Sequence, residues 1–125
     1  MATKLMMELL RSGHRDSTGD IFPPEVVEDI VNQVREKQPY VTRDFERSPN
    51  NVVGSTLIAH VEDDGDDKKA MVQVSLTPSG EELVKAGFEL AIGAEIVEGV
   101  DNEDGTRDIT KLRLTEVSLV KNKVK

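Results

Sequence analysis

His14 and His60 are the chain's only imidazoles, and there is no cysteine. Thiolate zinc sites, disulfides and cysteine nucleophiles are therefore excluded, and two isolated histidines do not suggest a His-rich metal site. The lack of cysteine agrees with a reducing compartment. A hydrolytic triad needs a nucleophile, a base and a group that orients the base. Two histidines limit the possible bases severely. His60 lies mid-strand beside apolar neighbours, the setting of a pleat-facing histidine, and His14 sits in a polar loop where solvation accounts for it. The run Glu62-Asp63-Asp64-Gly65-Asp66-Asp67 has the carboxylates a hard cation wants, but it lacks the alternating ligand spacing and closing Glu of an EF-hand loop. It reads as a solvated hairpin tip, and Asp101-Asn102-Glu103-Asp104-Gly105 reads the same way. Gly13, Gly19, Gly80, Gly87 and Gly93 are too dispersed for a dinucleotide or phosphate-binding turn. Gly93, inside a strand, marks a bulge or a close backbone approach.

The elements that must position these residues follow from periodicity. Leu5 to Arg11 reads as a first strand and Ser12 to Asp20 as a loop. Val26, Val27, Ile30, Val31 and Val34 recur on one helical face, opposite Glu25, Glu28, Asp29, Gln33, Arg35 and Glu36, which predicts a helix over Pro23 to Lys37. Proline in the first turn, early acids and late Arg35 and Lys37 agree with helix capping and dipole rules. Pro39 to Thr42 is a short extended piece, followed by an irregular stretch to Asn51. Val52 to Val61 and Lys69 to Leu76 form a hairpin around the acidic tip. A short helix then runs to Gly87, with Ser79 and Glu82 at capping-box spacing. Phe88, Leu90, Ile92, Ala94 and Ile96 alternate, predicting a strand with one buried face that continues to the turn at Asp101. Ile109 to Val120 supplies the last strand or pair of strands. About six strands and two helices make an α+β fold: a small, mostly antiparallel β-sheet or barrel, in one domain spanning 1–125.

Composition bounds the function classes. The 125 residues are 37% hydrophobic and 32% charged, an ordinary globular balance able to form a core without staples. Aromatics are only 3% of the chain, and a net charge of −8 is the wrong sign for a phosphate-binding surface, so nucleic acid is not an expected partner. The N-terminal Met1 to Leu10 is broken by Glu8 and is too short for a signal peptide or a membrane span, so a membrane partner is not expected either. No cofactor or metal is expected.

Several segments, in order, resemble the prohead protease family of tailed bacteriophages, capsid-maturation serine proteases with a fold related to herpesvirus assembly proteases. Asp16-Ser17-Thr18-Gly19-Asp20-Ile21-Phe22-Pro23-Pro24 looks like the family's Asp-Ser-x-Gly-Asp-Ile/Val-x-x-Pro opening. Pro39-Tyr40-Val41-Thr42-Arg43-Asp44, followed by Val52-Val53-Gly54, is similar to the strand bearing the catalytic His-Asp and the Ile-Gly after it. Val84-Lys85-Ala86-Gly87 and Leu90-Ala91-Ile92-Gly93 resemble the Lys-Ala-Gly helix end and the Leu-Ser-Ile-Gly strand that presents the nucleophile. The stretch from Ile109 to Val120 looks like the closing Leu-x-Glu-Val-Ser-Leu-Val strand. The likeness runs from about residue 5 to 120.

The departures fall where the resemblance puts the chemistry. Ala91 stands at the serine position and has no hydroxyl; Arg43 stands at the histidine position and stays protonated. Glu116 matches the family's acidic third member. A lone carboxylate leaves no triad. Family proteases also continue past this last strand into a Pro-Ala segment and a tail, whereas this sequence stops at Lys125. The resemblance therefore implies a catalytically degenerate, non-enzymatic virion protein, made in the host cytoplasm. A capsid decoration or cement protein that binds the major capsid protein of a tailed phage, with a possible homo-oligomer, is the expected role. An active capsid-assembly protease with a relocated nucleophile, for which Ser55, Ser75 or Ser118 paired with His60 would be the only candidates, or an internal scaffold-associated protein, is the alternative.

Overall fold

The computed structural model describes residues 3–13, 19–46 and 48–121. His14 and the Asp16-Ser17-Thr18 part of the resemblance lie outside these residues. Seven strands form a single sheet in the order β1-β5-β4-β3-β7-β2, with β6 paired to β7 off this path. Their ranges are β1 Thr3–Arg11, β2 Asp20–Ile21, β3 Tyr40–Arg43, β4 Val52–Asp64, β5 Asp67–Leu76, β6 Glu89–Asp101 and β7 Arg107–Val120; the helices are α1 Pro24–Lys37 and α2 Pro78–Lys85. Among the described residues no ladder joins β1 to β6, so the sheet is unclosed and the barrel form of the expectation does not hold.

The hairpin of β4 and β5 is longer than its hydrophobic pattern suggests. Asp64 pairs with Asp67 across a turn at Gly65 and Asp66, so most of the acidic run belongs to strands. The tip itself, Glu62 to Asp66, is exposed as expected. Asp67 accepts a 3.1 Å hydrogen bond from Ser12 Oγ, and Asp63 sits 3.3 Å from Lys68 Nζ. Pairing to β7 supplies what periodicity could not show. Val41, Thr42 and Arg43 run parallel to Val117, Ser118 and Leu119, and the two-residue β2, which takes in Asp20 at the end of the expected loop, runs parallel to Arg107 and Asp108. Arg107 grips Asp20 through two bonds of 2.9 and 3.2 Å, fixing β2 in place.

Because β3 is short, β4 and β7 diverge beyond it, and α1 fills the gap. Its stripe of Val26, Val27, Ile30, Val31 and Val34 is buried against β4, β5 and β7. Its polar side chains then satisfy backbone that a strand would otherwise bind. Gln33 donates to Leu112 O at 2.9 Å and accepts from Leu114 N at 2.7 Å, Lys37 donates to Leu114 O, and Arg35 donates to Ala59 O. Pro23 is the N-cap residue and makes no side-chain cap bond, while Gln38 closes the helix in the left-handed region. In α2 the cap is Thr77, whose hydroxyl accepts from Gly80 N, and not the Ser79–Glu82 box.

Strand β6 departs from the expected buried face. Leu90 is fully buried, but all seven residues from Glu95 to Asp101 are exposed, including Ile96 at 44%. Register shifts after Gly93, Ile96 and Glu98 break the alternation, so the pattern that starts at Phe88 does not persist along the strand. The Ile109 to Val120 segment is one continuous strand with β7's first two residues, not a pair.

Candidate functional site

Three adjacent strands, β3, β7 and β6, carry the three positions picked out by sequence. Across them Thr42 pairs with Ser118 and Ser118 with Ala91. One row on, Glu116 faces Gly93. Arg43 pairs with Leu119 at the end of β3. Alternation places Thr42, Ser118, Ala91 and Glu116 on one face, and Val41, Val117 and Leu119 on the other, which is core.

The structure thus brings Ala91 and Glu116 onto one face of neighbouring strands, whereas Arg43, paired with Leu119 at the end of β3, falls on the other by the same alternation. Arg43 is half-exposed. Its Nε lies 3.6 Å from Asp44 Oδ2, and its guanidinium stacks 5.8 Å from the centroid of the Phe88 ring. A methyl at Ala91 offers no electron pair, and a guanidinium offers no base.

Two groups that the sequence left unmarked as a unit organise this face. Ser118 is fully buried, and its Oγ donates to Thr42 O at 2.8 Å while accepting from Phe45 N at 2.9 Å and Thr42 Oγ1 at 3.2 Å. Glu46 N bonds back to Arg43 O at 3.1 Å, closing a tight turn in which Asp44 (φ 51°) and Phe45 (φ 59°) are both left-handed. Those are the angles of a type I′ turn. Phe45 then reaches Gly93. A Cβ built at residue 93 would stand 3.3 Å from Phe45 Cε1 and 2.7 Å from Glu116 Cγ, so any other residue there displaces the Glu116 side chain. The expected bulge and close approach at Gly93 are both present. Nothing in the sequence pointed to Phe45, because a primed turn is normally signalled by Asn-Gly or Asp-Gly.

The relocated constellation is not assembled. His60 lies five positions along β4 from Ser55, about 16 Å at strand rise, and Ser75 is Ser55's cross-strand partner. Ser118 is further still, since Thr42 beside it pairs with Val52, eight positions from His60 and roughly 26 Å away. A general base must come within hydrogen-bond reach, directly or through one water. His60 instead faces Glu62, with Nε2 and Oε1 3.3 Å apart. Ser55 and Ser75 line an open groove of about 250 Å³ with Tyr40, Val52, Gly54, Leu76 and Thr77, none of them a histidine or carboxylate. Among the described residues no three His, Asp or Glu side chains cluster as a metal site, and no helix is long and apolar enough to cross a membrane.

A mixed, unclosed sheet built around a long central hairpin and one wedged helix makes an α+β fold similar to that of a phage capsid protease. Among solved structures, the chain is similar to the bacteriophage T4 capsid assembly protease, gp21, with a TM-score of 0.68 over 94% of this chain and 80% of that one, at 14% sequence identity. No family model and no curated protein sequence matches it.

Proposed function

We propose that the protein is a non-enzymatic component of a tailed-phage capsid, a decoration or cement protein that binds the assembled shell. Support for the capsid setting comes from the fold shared with the T4 capsid assembly protease. The single observation that carries the non-enzymatic part is the face just described. Where the resemblance puts a nucleophile and a base, Ala91 and Arg43 stand on β6 and β3, the two strands that flank β7, and the β7 serine between them, Ser118, is buried with its hydroxyl committed to Thr42 and Phe45. A domain that recognised shell subunits keeps a docking surface after losing chemistry, and repeated copies on a lattice add avidity.

Co-sedimentation with empty phage shells tests the reading. Retention by assembled shells but not by isolated capsid protein is expected, with a higher melting temperature for the loaded shell. No retention at micromolar concentration overturns the cement role. Specific cleavage of capsid or scaffold substrate, abolished by mutating one of the chain's own serines, overturns the non-enzymatic one.

A further inference from the structure

The chain contains two Asp–Gly peptides, Asp64-Gly65 and Asp104-Gly105, and all four residues are exposed. Such a peptide is open to attack of the main-chain nitrogen on the preceding carboxyl, because glycine has no Cβ to crowd the approach. Sequence and exposure do not separate the two; hydrogen bonding does. At the second turn, Asp104 Oδ1 accepts from Thr106 N at 2.9 Å and from Thr106 Oγ1 at 2.6 Å, and Gly105 N donates to Asn102 O at 3.2 Å. Electrophile and nucleophile are both engaged there. At the first turn, Gly65 has φ 66° and Asp66 stays out of the left-handed region, the pattern of a type II′ hairpin turn, whose first central N–H takes no part in the ladder. Among the described residues neither the Asp64 carboxylate nor Gly65 N makes a hydrogen bond, and a Cβ built at residue 65 would meet nothing within 4 Å. Arg11, which feels the Asp64 charge, gives its hydrogen bonds to Glu8.

We propose that Asp64-Gly65 is a site of spontaneous isoaspartate formation, that Asp104-Gly105 is protected by its turn, and that the product is a substrate for enzymes that methylate isoaspartyl carboxyls. The Gly65 nitrogen attacks Cγ of the neutral Asp64 side chain; a C–N bond forms, and the amide proton and the carboxyl hydroxyl leave as water, closing a succinimide. Water then adds to either imide carbonyl. Cleavage of the new Cγ–N bond restores aspartate, whereas cleavage of the original Asp64 C–Gly65 N bond leaves the chain running through Cγ, with a free α-carboxylate. One water leaves and one returns, so no oxidant, reductant or further reactant is needed. The isoaspartyl link adds a methylene to the main chain beside a two-residue turn that Asp64 closes by pairing with Asp67. That pair is lost first, and with it the register that aims Asp67 at Ser12 Oγ. The inference stands on this geometry and does not depend on the capsid reading.

The test is ageing of the whole protein at neutral pH, folded and in urea, followed by peptide mapping that separates the isobaric aspartyl and isoaspartyl peptides. In the folded protein isoaspartate should accumulate at position 64 on the order of tenfold faster than at position 104, the factor that one hydrogen bond to a carboxylate supplies when it must break first. In urea the two rates should come within about threefold of each other, since only the fold distinguishes the sites. Thr106→Val, which removes the Oγ1 bond, should raise the rate at position 104 and leave position 64 unchanged, and Asp64→Glu should abolish the signal at position 64, because a six-membered imide closes far more slowly. A folded-state ratio below about threefold overturns the proposal, as does a ratio in urea that matches the folded one. Should Thr106→Val fail to fold, the two ratios of the parent chain decide. Aged protein should also accept methyl groups from S-adenosylmethionine through an isoaspartyl methyltransferase, and no transfer to chains that mapping shows to carry isoaspartate overturns the substrate assignment.

Discussion

The two borders of the ribbon formed by β6 and β7 are built on opposite terms. Along the β7 border, backbone groups are taken up in turn by β2 at Arg107 and Asp108, by Gln33 and Lys37 of α1 at Leu112 and Leu114, and by β3 at Val117 to Leu119. Along the β6 border beyond Ala94, no strand pairs among the described residues, and Ile96, Val97 and Val100 are exposed. Both strands share a ladder, so β-propensity does not separate them. What differs is backing: α1 presses an apolar stripe and a set of amide and ammonium groups on one border, and beyond Ala94 no strand among the described residues pairs with the other. The bare border carries the usual deterrents to edge pairing, three irregularities and the acids Glu95, Glu98 and Asp101.

The comparison breaks first at the helix. Ile30→Ala, at a position with no exposure, should cost about 2–5 kcal/mol in urea unfolding, because α1 is wedged between strands that cannot collapse onto the cavity. A loss below about 1 kcal/mol would mean that the gap tolerates loose packing. Gln33→Ala leaves the Leu112 carbonyl and the Leu114 N–H without their side-chain partner and should cost about 1–3 kcal/mol. Gln33→Glu keeps the acceptor for Leu114 N and should recover part of that loss, which separates the hydrogen-bond role from packing. On the bare border, Val97→Thr should move stability by no more than about 0.5 kcal/mol in either direction, and a larger loss would show that β6 is covered after all.

The smallest effect is a pH dependence at the end of β1. Thr3 Oγ1 donates to Glu81 Oε2 at 2.6 Å and Lys85 lies 3.2 Å from the same carboxylate, and these hold the Glu81 carboxyl below its ordinary value, the Thr3 bond contributing most. A depressed carboxyl pKa contributes stability that is present above the unfolded value, about 4.3, and lost as the pH falls through the folded value. Melting temperatures of parent and Glu81→Gln should therefore differ at pH 6 and draw together as the pH falls below the ordinary carboxyl range. A difference that persists in acid would locate the effect in packing.

Much of the frame was legible in the chain itself. The valine and isoleucine stripe of α1, the β4–β5 hairpin and the glycine at position 93 follow from period, turn composition and the steric freedom of one residue type, all local properties. The order of segments carried the likeness to the prohead protease family, and with it Arg43, Ala91 and Glu116 as the positions to inspect. Local pattern could not reveal that β6 loses its buried face after Ala94, since burial depends on whether another element arrives. It also could not show that β2 and β3 join β7 in parallel, because those pairings span most of the chain. Phe45 is the sharpest case: its turn contradicts the local preferences of the sequence, and only the Ser118 hydroxyl and the open space above Gly93, contributed by two other strands, hold it there.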